Sequence, residues 1–211
     1  MSQEPSPEEA VLTERRGRIL IVTINRPEAK NACNAAVSHG LAAAMDTLDD
    51  DPGLSVGIVT GAGGSFCAGM DLSVPGNVFG LDETQQPTLA DMHERLHDEA
   101  IHRGVRDTGG RVTLAIYECK KPVIGAINGA AVGIGATMTL AMDIRLASEK
   151  ARIGFVFGKI GVVPEACSSW FLPRIVGIQQ ALEWVYTGDI LTAEQALAGK
   201  LVRSVHAPEE L

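Results

Sequence analysis

Several absences bound this chain before any motif is considered. It has no apolar run approaching the ~20 residues of a membrane span, because Gly and charged residues interrupt each stretch. It has no basic excess: the net charge is -8, which argues against nucleic acid while leaving room for an anionic small molecule held by a local cluster of cations. There is no CxxC pair, and the four cysteines (Cys33, Cys67, Cys119, Cys167) lie far apart, pointing to free thiols in a reducing cytoplasm. No Gly-Lys-Ser/Thr phosphate loop occurs, and Gly61-Ala62-Gly63-Gly64-Ser65-Phe66 lacks the last Gly of a dinucleotide fingerprint. His93-Glu94-Arg95-Leu96-His97 has the HExxH form but lacks its context. A third ligand at the extended spacing would fall on Arg103, with His102 one position short, and the flanking charges read as a solvated helix, so no metal site is expected. The opening MSQEPSPEEA is acidic and Pro-bearing, which predicts a disordered lead-in over residues 1–10 and not a signal peptide. No fixed-period repeat is present.

What remains is a chain of 211 residues, 45% hydrophobic, long enough for one α/β domain over residues 11–211. Residues 11–16 and 18–25 read as a hairpin, 35–48 as an amphipathic helix starting near Asn34, and 55–60 as a buried strand. Residues 73–87 read as a loop. Residues 89–117 read as mostly helical with a break at Gly109-Gly110, and 122–127 as a strand. The spans 165–176, 179–186 and 193–198 read as helices, the last capped by Thr192, and 201–205 as a final strand.

Two turns invite chemistry. Gly133-Ile134-Gly135 stands between a β-branched strand and a helix-forming run, and Ala68-Gly69 follows Ser65-Phe66-Cys67. Small residues there uncover backbone N–H groups, which can donate to an oxyanion. The alternative is that Gly133 and Gly135 only let a helix pack on a strand. Asp71 can cap the helix or turn that follows it. Glu165, between Pro164 and the apolar-rich Ala166-to-Phe171 run, is either a first-turn Glu favoured by the helix dipole or a desolvated carboxylate fit to be a general base.

Taken together these stretches resemble the crotonase superfamily, the enoyl-CoA hydratase/isomerase family. The matching residues are Asn25-Arg26-Pro27 with Asn31-Ala32, Ser65 through Leu72, Lys121 through Gly129, Gly133-Ile134-Gly135, Asp143-Ile144, Gly161-Val162-Val163-Pro164 and Thr187-Gly188-Asp189. The resemblance implies a ββα-repeat spiral core, a coenzyme A thioester substrate with no separate cofactor, and a homotrimer or dimer of trimers. It also implies a C-terminal helical segment that this chain would be missing. The N–H groups of Met70 and Ile134 would hold the thioester oxygen. The CoA arm would run along Arg26 to Ala32 and Ala68 to Asp71, with Arg26 and Lys30 as candidates for its phosphates.

Departures from the family pattern select the expected reaction. Hydratases of this family hold water between two glutamates, and this chain has Thr137 and Phe157 at those positions. Glu165 matches the lone glutamate of Δ3,Δ2-enoyl-CoA isomerases, which take a proton from C2 and return it at C4. Apolar walls that include Leu72, Phe157 and Trp170 would exclude water. Hydration of a 2-enoyl-CoA, nucleophilic use of Glu165, and acyl-CoA binding without turnover are the rival expectations.

Overall fold

The computed structural model describes residues 6–73, 77–95 and 98–211, with the main chain alone at 102 and 103. Ser6 caps helix α1 (Pro7–Ala10): its hydroxyl accepts the Glu9 N–H while the Glu9 carboxylate accepts the Ser6 N–H. The expected disordered lead-in is therefore corrected for residues 6–10; residues 1–5 lie outside the described residues. The chain then forms the hairpin β1 (Val11–Arg16) and β2 (Ile19–Ile24), and helix α2 (Ala35–Asp50), capped by the Asn34 side chain on the Val37 N–H. Val37, Leu41, Met45 and Leu48 recur at helical spacing and are all buried, each stabilising the fold by on the order of 2 kcal/mol.

From β3 (Val56–Gly61) onward each unit contributes one strand to each of two sheets. β3 is followed by β4 (Ser65–Cys67), then by α3 (Leu89–Glu94), α4 (Glu99–Val105) and α5 (Thr108–Glu118). Next come β5 (Val123–Ile127), β6 (Ala130–Val132), α6 (Ile134–Thr137) and a 3₁₀ turn over Met138–Ala141. The third unit holds β7 (Ile144–Ser148), β8 (Arg152–Gly154), α7 (Phe157–Ile160), α8 (Ser168–Val176) and α9 (Ile178–Thr187). The chain closes with β9 (Ile190–Thr192), α10 (Ala193–Ala198) and β10 (Ser204–His206). The larger sheet runs β1-β2-β3-β5-β7-β10, parallel except for the first hairpin; the smaller runs β4-β6-β8-β9, antiparallel only between β8 and β9. This is the ββα spiral that the resemblance implies, and parallel strands covered by helices bury both faces. No helix among the described residues is long and apolar enough to cross a membrane.

Three expectations about elements are corrected. The 89–117 span holds three helices, α3 ending at its cap Arg95, α4 running between caps Asp98 and Arg106, and α5 opening at Asp107, whose cap lets Gly109-Gly110 sit inside the first turn. The helix expected from Glu165 starts at Ser168, since Ala166 (φ 51°) and Cys167 (φ 58°) are left-handed. The last strand is Ser204–His206 and not 201–205.

The loop between β2 and α2 is fastened to the β3–β4 turn by one buried side chain. Asn31 donates from Nδ2 to the carbonyls of Ala62 (2.9 Å) and Ser65 (2.7 Å), and its Oδ1 accepts the Arg26 N–H (2.9 Å). Replacing Asn31 by Ala strands two carbonyls and one N–H, so a loss of about 2–4 kcal/mol in denaturant unfolding is expected. Asn31→Asp should lose more, because its carboxylate would face two carbonyl oxygens.

Candidate active site

β4 pairs in parallel with β6, Ser65 opposite Ala130 and Cys67 opposite Ala131, so the chain leaves both strands at the same end. Each exit is a turn through a glycine in a conformation that side chains rarely adopt: Gly69 at φ 122°, Gly133 at φ 53°, ψ -124°. A Cβ built on Gly133 would lie 3.9 Å from the Gly69 Cα, so the two turns face one another. Gly135 answers to the packing alternative, since a Cβ there would collide with the Cys67 carbonyl.

The residue after each turn carries an uncommitted donor. Cys33 pairs with residues 69–71 as a short parallel bridge, its N–H donating to the Gly69 carbonyl and its carbonyl accepting the Asp71 N–H, both at 2.8 Å. Alternation along an extended strip then turns the Met70 N–H away from Cys33. Ile134 opens α6, where a first-turn N–H has no intrahelical acceptor. Among the described residues neither N–H meets a protein acceptor. The first strip is held by a buried ion pair: Arg26 Nη2 lies 2.7 Å from Asp71 Oδ2, the side chains 11% and 8% exposed, and Arg26 Nη1 donates to the Ala32 carbonyl. Asp71 Oδ1 accepts from the N–H and hydroxyl of Ser73, the capped turn expected from sequence. Burial pushes the Asp71 pKa up, but the hydrogen bonds from Ser73 and Arg26 outweigh it and hold the carboxyl below its ordinary value.

Glu165 comes to these donors from the loop before α8. Its Oε1 accepts from the Thr137 hydroxyl at 3.1 Å. Its Oε2 lies against Gly109, where a Cβ would stand 2.7 Å from that oxygen and 2.7 Å from Ile134 Cδ1. Burial first, and the Asp107 carboxylate second, push the Glu165 pKa up to about 7 against the pull of Thr137. Of the two opposing influences read from the sequence, desolvation prevails. The carboxyl does not sit in the first turn of α8, so that helix's dipole does not oppose it.

A cavity of about 170 Å³ joins these groups. Of the residues singled out in the sequence, Ala68, Gly69, Met70, Leu72, Gly133, Ile134, Phe157 and Glu165 line it. Asp71 and Ala32 lie behind the wall as supports, and Lys30 is an exposed left-handed residue whose carbonyl accepts the Ala68 N–H. Two candidates are corrected. Trp170 is 56% exposed, stacks under the Arg174 guanidinium at 3.3 Å and is no part of the cavity wall. Arg26 is committed to Asp71 and Ala32 and is not a free cation for phosphate.

Sequence reasoning did not assign to the site Phe79, Val132, Val156, Ile160 and Val162, which complete the wall, nor Asp107 and Gly109. Thr137, noted there only as standing where the family's hydratases have a glutamate, is the partner of the carboxylate. The run Asp107-Thr108-Gly109-Gly110 carried a readable signal, a capping residue before a first turn too small to hinder approach. His93 lies on α3 and His97 outside the described residues, among which no group of three His, Cys, Asp or Glu could hold a metal ion. Cys33 and Cys67 are free and buried, and burial raises the Cys67 thiol to about 11.

Paired backbone donors and one half-buried carboxylate around an apolar cavity, on a two-sheet ββα spiral, define the crotonase class of fold. Within it, the chain belongs to the enoyl-CoA hydratase/isomerase family, whose profile matches residues 14–211. It is 37% identical over 180 residues to enoyl-CoA hydratase ACTT3 of Alternaria alternata, covering 85% of this chain and 54% of that protein. It is 33% identical over 189 residues to the 1,2-epoxyphenylacetyl-CoA isomerase of Escherichia coli, covering 89% of this chain and 66% of that protein. The chain thus spans about half to two thirds of the length of these curated relatives. Among solved structures, an enoyl-CoA hydratase from Mycobacterium tuberculosis is 40% identical with a TM-score of 0.75, over 95% of this chain and 70% of that one.

A raised carboxyl has a thermodynamic signature. Between pH 4.5 and about 7 the folded state retains a proton that the unfolded state has lost, so stability declines as pH rises through that window. Glu165→Gln removes the buried charge and should unfold later than the parent protein at pH 8, by up to ~3 kcal/mol. The gap should close below pH 4.5. Paired urea titrations at pH 4 and pH 8 measure it.

Proposed function

We propose that this protein is an enoyl-CoA isomerase that shifts a Δ3 double bond to Δ2 in an acyl-CoA. The observation that carries the reading is a single carboxylate, raised to about 7, sharing an apolar cavity with two backbone N–H groups. Removing a proton from C2 beside a thioester makes a dienolate, whose negative charge concentrates on the thioester oxygen. The Met70 and Ile134 N–H groups would take that oxygen, and in a dry site each such donor lowers the barrier by about 3–4 kcal/mol. Glu165 would accept the C2 proton and return it at C4, the double bond moving as the proton does. A pKa near the working pH suits a group that must both take and give. Thr137 would hold the carboxyl in one orientation through both transfers.

Hydration of a 2-enoyl-CoA is the second reading, favoured by relatives named as hydratases, such as the crotonyl-CoA hydratase of Syntrophomonas wolfei at 31% identity. Weighing against it, Thr137 and Phe157 stand where the family's hydratases hold water between carboxylates, and Phe157 is buried. The proposal extends to a CoA thioester with no further cofactor, a cytoplasmic setting, and a homotrimer or dimer of trimers. Ile178 and Tyr186, exposed on α9, support assembly.

Incubation with 3-hexenoyl-CoA and 2-hexenoyl-CoA separates the readings. The isomerase converts the first to the second, whereas a hydratase forms 3-hydroxyhexanoyl-CoA from the second. Activity on 3-hexenoyl-CoA should rise with pH through about 7 and then level off, and Glu165→Gln should lower kcat by roughly 10²–10⁴-fold. A Glu165→Gln variant of full activity would refute the role. Gly109→Ala should keep or slightly gain helix stability, by ~1 kcal/mol at most. Its methyl group would still displace the Glu165 carboxylate and Ile134, so kcat should fall at least tenfold with the melting temperature unchanged.

A further inference from the structure

We propose that Asp107 is a positioning residue that sets the proton affinity of Glu165, acting across the gap that Gly109 leaves open. Three observations converge on it, two at the start of α5 and one at Glu165 itself. Asp107 caps α5, and its Oδ1 accepts the Gly110 N–H at 2.7 Å, which pins the carboxylate in place. A Cβ on Gly109 would lie 3.0 Å from that same Oδ1 and 2.7 Å from Glu165 Oε2, so both oxygens border one small space that holds no side chain. Glu165 is fixed from its other side by Thr137, so it cannot swing away from a like charge without losing that hydrogen bond.

Other groups around Glu165 do not substitute for Asp107. α6 presents the neutral Thr137 hydroxyl, the loop after β2 presents the buried Cys33 thiol, and the turn after Glu165 presents Cys167. The Arg106 guanidinium, next to Asp107 in sequence, favours ionisation of Cys167. Among the described residues, Asp107 is the carboxylate whose charge bears on Glu165, reinforcing the desolvation that already favours its neutral form.

The consequence for double-bond migration rests on the isomerase reading; the titration that tests it does not. The Glu165 side-chain carboxyl is followed by 13C NMR across pH 4–9, its signal assigned by its disappearance in Glu165→Gln. Asp107→Asn and Asp107→Ser are compared with the parent protein, since Asn and Ser cap a helix about as well as Asp and should preserve α5. In both variants the Glu165 midpoint should fall by roughly 0.5–2 pH units, the span between water-like and interior screening of two charges about 6 Å apart. The acidic limb of the kcat/KM profile should move by the same amount. An unchanged or higher midpoint in a variant with parental circular dichroism overturns the proposal, and where one variant fails to fold the other decides. Absence of turnover on 3-hexenoyl-CoA would sink the isomerase reading and leave the titration standing.

Discussion

The parallel pairing of β4 with β6 is the constraint on which the rest of the site depends. Three residues on each side suffice to bring two chain exits together, and both exits then turn through a glycine at positive φ. Neither turn could aim its N–H alone. The Met70 donor is directed by Cys33, which takes up its neighbours' polar groups, and the Ile134 donor by the geometry of a helix start. The Arg26–Asp71 pair, nearly closed to solvent, ties the Met70 strip to the loop that carries Ala32 and Cys33. Breaking a buried pair by removing one partner costs about 3–5 kcal/mol, so the loop carrying Met70 is not free to drift.

The carboxylate is delivered by a different route. Left-handed Ala166 and Cys167 postpone α8, which leaves Glu165 in an extended approach where its side chain reaches over α6. Ser168 then closes the turn, its N–H and hydroxyl both donating to the Glu165 carbonyl. Thr137 on one oxygen and the bare Cα of Gly109 beside the other fix the orientation. Three elements distant in sequence thus converge on one mostly apolar cavity. The elevated Glu165 pKa follows first from that enclosure.

The large sheet and the two glycine turns were legible because strand and turn signals are local. β-branched runs bounded by Pro or Gly marked β2, β3 and β5, and the small-residue clusters at 68–69 and 133–135 marked the donors. Helix starts were legible where a cap was present, as at Asn34 and Thr192, and misread where a left-handed pair intervened, as at Ala166-Cys167. Gly109-Gly110 was misread as a break because a helical first turn tolerates glycine once a cap precedes it. Trp170 was misassigned because helical periodicity does not say which face of α8 meets solvent. The run from Asp107 to Gly110 could signal a capped, unhindered first turn, but not that Gly109 faces the Glu165 carboxylate, which is a contact across space.

Two carboxylates of this site are driven in opposite directions, and the opposition limits the conditions under which the fold and the site are both at their best. Asp71 is held below its ordinary value, so the stability it lends is present above the usual carboxylate range and is lost as pH falls through it. Glu165 is held above its ordinary value, so the stability of its neutral form is complete below pH 4.5 and drains away as pH climbs through about 7. Acid therefore threatens the support of the Met70 donor, whereas alkali ionises a carboxyl in apolar surroundings. A general base is useful only when ionised, so the protonation state that could do chemistry is the one the fold tolerates least. Stability given up at a reactive group shielded from water is a common cost of function, and under the isomerase proposal it falls on the carboxyl that lines the cavity.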